Sequence, residues 1–428
     1  MSTLSSDEEA GGGHHEFEGP SSSRRRTMPV VVTWHPAGIW PAPFVEALAF
    51  RVAVDASRTS GRLAAAQALF NIFQVCSTWR AISNSELLWY NLSRHIWVSA
   101  DLGRHPTWRD EYIHRHRTAA NFHLCRHSHA ALNLLPDVGP VGRQPSCRRL
   151  ALSDLHLAIG FSDGGVHIFR LPDGPHLVSV LYPQGHDRHM GRFSSSVSGI
   201  ILTDARLVFA TLDGDVHVSS LDGPSFLRRA RTGDVVSDGA LIDFSGRGRW
   251  WVGLYAELLF VGGTLTDPEA LTGWHSLTEM TDPIGSVRVT AQGHAVACTS
   301  HRVIAFDLQN QVATVSGDEL SRRGIVVGSF DSNHDSVLVA DGRGRAHIRR
   351  VVDLGEVSRF AVRRGSGRMG KVLGCMNGGC AVLSVGGVIR VWGIESGEYL
   401  YSFRERMEEC SAIVANETRV VACSSDGI

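Results

Sequence analysis

Two rhythms divide the chain. Between Trp40 and Ile96 apolar residues recur every three or four positions, the period of one helical face. Beyond about residue 150 they alternate at every second position in short runs broken by Gly and Asp, the period of a half-buried strand. In the first region Pro41 and Pro43 suit a helix start, where the missing N–H costs little. Phe44, Leu48 and Val52 follow at steps of four, and SRTSG at 57–61 reads as a break. A longer second helix opens at Leu63 and puts Leu69, Ile72, Phe73, Cys76, Trp79 and Ser83 on one stripe. Asn84 and Ser85 predict a turn and cap before a third short helix holding Leu88, Trp89, Leu92 and Ile96. Trp108, Tyr112 and Arg115 lie at helical spacing inside a connector over 98–149.

The second region repeats itself. LHLAIGFSDGGVHIFRL from Leu155, RLVFATLDGDVHVSSLDG from Arg206, HAVACTSHRVIAFDL from His294, SVLVADGRGRAHIRRV from Ser336 and CAVLSVGGVIRVWGI from Cys380 each read strand, polar turn, strand. WWVGLYAELLFVGG from Trp250 and RVVACSSDGI from Arg419 are partial copies. A period of roughly 40 to 50 residues with tight hairpin turns is the signature of propeller blades. One small twisted sheet cannot hide both apolar faces; a ring of sheets covers each with the next. The expectation is an all-β propeller over 150–428 with about seven blades, two of them incomplete: a strand missing after Ala256 and outer strands missing after Ile428. An open edge exposes unpaired backbone, so such a ring is expected to be weakened unless residues of the 120–150 region supply an edge strand.

Composition bounds the rest. A chain of 428 residues has room for two or more domains, and a formal net charge of −1 argues against binding polyanions by bulk electrostatics. Lys371 is the only lysine, so basic charge is arginine. No apolar run approaches the ~18–20 residues that span a bilayer, and the acidic, glycine-rich start lacks the basic head and apolar core of a secretory signal. The eight cysteines form no C-x-x-C pair and read as free thiols of a reducing compartment. Residues 1–28, rich in Ser, Gly and charge, are expected to be a disordered tail, in which Arg24, Arg25 and Arg26 are either a nuclear-import patch or solvated charge. The arginines of the connector, Arg104 to Arg149, read as a solvated linker surface or a phosphate-binding one.

Three chemical motifs match only in letters. Gly160–Gly164 fits G-x-S-x-G around Ser162, but it lies between two short strands where other repeats carry Asp-Gly, so a hairpin turn is expected instead of a nucleophile. Gly365–Gly370 fits G-x-G-x-x-G without the helix that a nucleotide site needs. His114, His116, His123, Cys125, His127 and His129 crowd one segment without zinc-ligand spacing. The expected catalytic residues, metal ligands and cofactors are therefore none.

Three short helices make a thin core, and large apolar residues stand on more than one face of them. They either pack on the rest of the chain or dock a partner. Trp40, Pro43, Phe44 and Leu48, followed by LFNIFQVCSTWRAIS and SELLW, resemble an F-box: a Pro-led first helix, a V-C-x-x-W-R centre and an L-W close. Phe306–Asp307 and Val391–Trp392–Gly393 resemble the W-D dipeptide of degenerate WD repeats, with Gly185–His186 and Gly293–His294 as G-H relics. Over nearly its whole length, through VCSTWRA, DEYIHRHRTA, DARLVFATLDGDVHV and GEYLYSFRER, the chain is similar to a plant family of F-box proteins with such repeats. The resemblance implies an α+β multidomain architecture: a three-helix F-box over 38–97, then the connector and the propeller. It implies a non-catalytic substrate receptor of a Skp–cullin–F-box ubiquitin ligase, acting in the nucleus on flower development and organ size. Its partners would be a Skp-type adaptor, a cullin, and repressors of the PEAPOD and KIX type, while the apolar runs and the charge argue against membrane and nucleic-acid partners. Pro43, Phe44, Leu48, Leu69, Val75, Cys76, Trp79, Leu88 and Trp89 would form the adaptor face or its support. The substrate-binding residues stay unassigned, with Arg343, Arg345 and Arg349 as candidates. Two other readings remain open, a nuclear scaffold or transcriptional regulator without ligase partners, and a propeller hydrolase using Ser162.

Overall fold

The computed structural model of the protein describes residues 40–98, 102, 105–132, 145–183, 194–222, 228–231, 239–255, 259–267, 270–279, 284–299, 302–310, 312–319, 327–341, 344–362, 371–407 and 409–424. The acidic tail, Arg24–Arg26, Gly185–His186, Arg343 and the G-x-G-x-x-G stretch lie outside them. No helix among the described residues is long and apolar enough to cross a membrane.

Residues 42–123 form five α-helices and one 3-10 turn, where three helices and a connector helix were expected. The first, α1 (Ala42–Ser60), runs through most of the anticipated break and stops at Gly61, whose φ of +90° few other residues adopt. The expected second helix is two: α2 (Ala64–Phe73) ends before Val75, Cys76 is fully extended, and α3 (Ser77–Ala81) starts afresh. A 3-10 turn, Ile82–Asn84, leads to α4 (Glu86–Ile96), whose N-cap Ser85 accepts the Leu88 amide. Thr107 caps α5 (Trp108–His123) in the same way through the Asp110 amide.

The buried stripe of α1 is Val45, Ala49 and Ala53, one position along from the expected Phe44, Leu48 and Val52. Small side chains there let α2 approach closely, and the larger neighbours are left to the flanks. Leu69, Ile72, Leu88, Trp89, Leu92, Ile96, Trp97 and Tyr112 complete the head's core. Trp89 sits at its centre, with its ring 5.1 Å from Tyr112 and its indole N–H donated to the Ser83 carbonyl at 2.7 Å.

From Cys147 onward the described residues form a β-propeller: among them are six four-stranded antiparallel sheets followed by a two-stranded one, Cys410–Ala415 with Val420–Ser424. The inner strands are Cys147–Leu152, Val197–Leu202, Leu241–Arg247, Ile284–Val289, Val327–Ser332, Val372–Met376 and Cys410–Ala415. Each packs on the next, and the last returns to the first. The strand expected to be missing after Ala256 is present. Leu259–Asp267 and Ala270–Glu279 complete the third sheet beside Trp250–Tyr255. Ala256–Leu258, before Leu259–Asp267, carries no Gly or Asp to mark a turn, which hid the third strand from periodicity. The letters of G-x-S-x-G are a hairpin turn, with Gly164 at φ +91° and the Gly165 amide held by Asp163. Phe306–Asp307 and Trp392 both lie on third strands.

Two polar systems tie the ring together. Along its inner strands Arg149 donates to Ser198 O (2.7 Å) and to Asp243 (3.2 Å), and Arg288 bridges Asp243 (3.2 Å) and Asp331 (3.1 Å). Asp331 also accepts the Met376 amide at 2.9 Å. Burial disfavours the Arg288 charge, but the two carboxylates outweigh it and raise its pKa. At the first hairpin turns, the Asn333 amide donates to Asn377 O (3.1 Å), Asn377 to Asn416 O (3.2 Å), and Asn416 to Ser153 O (3.2 Å). The last of these bonds, with Arg419 to Asp154 O at 3.0 Å, joins the final sheet to the first.

Beside the two-stranded sheet, the faces of its neighbours are covered from the connector. Tyr401 donates to Phe122 O at 2.6 Å, His127 lies edge-on to Phe403 at 5.0 Å, and Leu132 packs against the cluster of Leu157, Phe161 and Phe169. Among the described residues the connector supplies no edge strand there. It supplies the contacts of Phe122, His127 and Leu132.

Candidate protein-interaction site

The head is clamped to the propeller at one end of its helices. Only residues 61–63 separate α1 from α2, so the second helix folds back along the first. That corner sits on the hairpin turns of the sixth and seventh sheets. Arg62 donates to Glu417 at 3.0 Å and lies 4.9 Å over the Trp97 ring, while Glu417 also accepts the Gly378 amide at 2.8 Å. Burial raises the Glu417 pKa, but Arg62 and the Gly378 amide outweigh it and leave it below the usual value. Gly61 packs so closely on the Glu395 carboxylate that a Cβ there would clash.

The opposite end of the hairpin carries the start of α1 and the α2–α3 turn. The Ser85–Glu46 hydrogen bond, 2.8 Å, brings the start of α4 there too. Large apolar side chains are left in solvent on these elements: Phe44 (47% exposed), Phe70 (54%), Val75 (61%) and Leu87 (60%). Pro43 and Cys76 are also exposed, and Leu48 and Trp79 are half-buried. Leu69, Leu88 and Trp89 are core. The nine residues singled out from the sequence thus separate into an exposed set and the packing beneath it. Leu87 was missed; the adjacent pair Leu87–Leu88 was the signal, because two consecutive helical positions cannot share one face.

The histidines of the connector have separate roles. His116 Nε2 lies 3.3 Å from Leu63 O, His127 packs on Phe403, and the rings of His114 and His105 lie 4.6 Å apart, tilted at 40°. Among the described residues no group of three or more His, Cys, Asp or Glu side chains is placed to hold a metal. Ser162 Oγ accepts the Ser146 amide. Arg345 is exposed, whereas Arg349 is half-buried and donates to Leu354 O at 3.0 Å.

Comparison with known proteins bears on these surfaces. The chain is 47% identical over 439 aligned positions to the Transcriptional regulator STERILE APETALA of Arabidopsis thaliana, covering 99% of this chain and 96% of that protein. The chain belongs to the STERILE APETALA family. No protein-family model matches it. The propeller of this chain resembles two solved ones: the β-propeller domain of Cps50 (Swd1) from Myceliophteria thermophila and the WD40 β-propeller domain of Doa1. The first is 14% identical with a TM-score of 0.51, covering 66% of this chain and 97% of that one. The second is 12% identical with a TM-score of 0.51, covering 67% and 92%. At such identity the likeness concerns the fold alone.

Proposed function

We propose that this member of the STERILE APETALA family is the substrate-recognition subunit of a Skp–cullin–F-box ubiquitin ligase, working in the nucleus to promote organ growth and flower development. Residues 38–97 act as the F-box, 98–149 as the connector and 150–428 as a propeller of about seven blades. The observation that carries this is the set of exposed apolar side chains at the end of the head remote from its propeller clamp. A few large anchors, Phe44, Leu48, Val75 and Trp79 with Pro43 and Cys76, suit the groove of a Skp-type adaptor. Leu69, Leu88 and Trp89 hold them from below. The propeller presents growth repressors, of the PEAPOD and KIX type by resemblance, to enzymes carried on the cullin. Catalysis belongs to those enzymes, and this chain supplies proximity.

The test is capture of the adaptor and cullin by the full chain. Phe44→Ala and Val75→Ala are exposed changes that leave the core alone, and each should weaken capture about tenfold. Full capture by the double variant refutes the docking face. A second reading is a nuclear scaffold or transcriptional regulator without ligase partners, favoured by the name its Arabidopsis relative carries. Under it, the natively folded chain captures no adaptor at all.

A further inference from the structure

A cleft of about 600 Å³ opens between the fifth and sixth sheets, lined by Phe360, Val362, Arg390, Trp392, Gly397 and Tyr399 together with Ala361. Strand alternation builds it. Arg390 and Trp392 are two apart on Val388–Gly393 and share the face that looks toward the fifth sheet. Phe360 of the strand Glu356–Ala361 and Val362 just beyond it look back from that sheet. Trp392 stacks on Phe360 at 5.0 Å and 17°, and Tyr399 stands edge-on to Trp392 at 5.8 Å. Tyr399 is half exposed and forms the rim. Gly397, at φ +65°, also lines the cleft, and a Cβ there would press on Ser358 and the Arg359 carbonyl.

Within this aromatic setting one polar group is unmatched. Arg390 Nη1 is buried and has no hydrogen-bond partner. A guanidinium offers donors only, and a buried donor without an acceptor is costly. A propeller wall that needed only packing would be better served by an aliphatic residue at this position. Arg406, opposite Val388 in the neighbouring strand, adds an exposed positive charge on the same face. The cleft therefore lacks an anionic acceptor attached to an apolar body.

We propose that this cleft is a peptide-recognition site, taking a partner segment in which an aromatic or large aliphatic side chain lies beside a carboxylate. The ring enters against Trp392 and Phe360, the Arg390 guanidinium turns its unmatched Nη1 out to the carboxylate, and Tyr399 closes over the segment. The assignment rests on the substrate-receptor reading and gives that receptor a recognition pocket on the wall of the propeller.

The test uses the purified full chain without adaptor, so its outcome is independent of the adaptor-capture experiment. Two fluorescein-labelled seven-residue peptides are compared by polarisation: one with a central Phe flanked by two Glu in Gly and Ser spacers, the other with Gln in place of Glu. The carboxylate peptide should bind at least tenfold more tightly. Arg390→Gln should abolish that preference, and Tyr399→Ala, a rim change, should weaken both peptides several-fold. The proposal is overturned if the two peptides bind equally, if neither saturates by millimolar protein, or if Arg390→Gln keeps the preference. It is also overturned if acetate displaces the carboxylate peptide at the concentration at which it displaces free fluorescein-labelled Glu, since the cleft is then a bare anion site. Should Arg390→Gln fail to fold, the peptide pair on the native chain and on Tyr399→Ala decides.

Discussion

Replacing Arg62 by Met removes the charge that joins head and propeller while keeping a stem to cover Trp97. Glu417 then keeps the Gly378 amide and loses its cation. An exposed ion pair is worth about 0–1 kcal/mol, whereas breaking a fully buried one costs about 3–5 kcal/mol. The two side chains are 14% and 32% exposed, which places this pair between those limits. A loss of about 2 kcal/mol is expected, including the weakened cation–π contact with Trp97. Spread over a chain of this size that lowers Tm by only about 2–3 °C. Local opening is the sharper readout: exchange of the Gly378 amide, whose acceptor is Glu417, should quicken about 30-fold. Glu417→Gln alone should cost a similar amount, and the double variant little more than either. If the two single losses simply add to within about 0.3 kcal/mol, the pair is not coupled and the clamp is misread.

Acid should loosen the same region. Burial, with Arg247 and Arg62 nearby, depresses the His334 pKa to about 4, while Glu417 and Asp335 act against that. The unfolded chain takes up this proton near pH 6.5 and the folded one only near 4. Stability is therefore full above 6.5 and falls by about 2 kcal/mol toward pH 4, after discounting for partial exposure; Glu417, also depressed, adds a loss only below its ordinary value near 4.5. Urea midpoints of the native chain against His334→Gln between pH 4 and 7 check this, and parallel curves would contradict it. Asn416→Ala removes acceptance from the Thr418 and Arg419 amides and donation to Ser153 O. It should cost about 2–3 kcal/mol in urea unfolding, and a loss below about 0.5 kcal/mol would deny the ring-closing role of that turn. Gly199→Ala places a Cβ inside the Phe244 backbone carbonyl. Neither group can move without parting the second and third inner strands, so soluble expression should collapse; a well-folded variant would show that those strands can separate.

The period of the sequence told helix from strand reliably, because it depends only on which residues must face inward. It told less about where helices stop. The stripe Leu69, Ile72, Phe73, Cys76, Trp79 is regular enough to read as one helix, yet Val75 and Cys76 leave it, since an exposed apolar turn carries no local signal against continuation. Phe44, Leu48 and Val52 were the obvious apolar column of α1, but the close packing of α2 selects the smaller column beside it. The third sheet's third strand went unseen because Ala256–Leu258 holds no Gly or Asp to mark the turn before it. A signal for ring closure was present and passed over: Asn333, Asn377 and Asn416 stand 44 and 39 residues apart, each just after an inner strand. Their shared turn shows only once the strands are placed. Arg390 was legible as an arginine in an apolar strand, but its missing partner is a property of three dimensions.

The connector gives the molecule a property that neither repeat counting nor the head alone would suggest. Phe122 ends α5, the helix whose Tyr112 packs under Trp89 and Trp97 in the head, and the same Phe122 takes the Tyr401 hydrogen bond in the sixth sheet. A tilt of the head about its clamp must therefore drag α5 and disturb the packing that covers the two-stranded sheet. Head orientation and ring integrity are one mechanical problem. Under the receptor reading this has a direct consequence. An adaptor held at Phe44 and a peptide held at Arg390 would stand at a separation set by the packed helices and sheets of the described residues. Proximity of that kind raises effective concentration only where the separation is right. The residues that join head to ring through α5, Tyr112 and Phe122, should then be as sensitive to substitution as either surface.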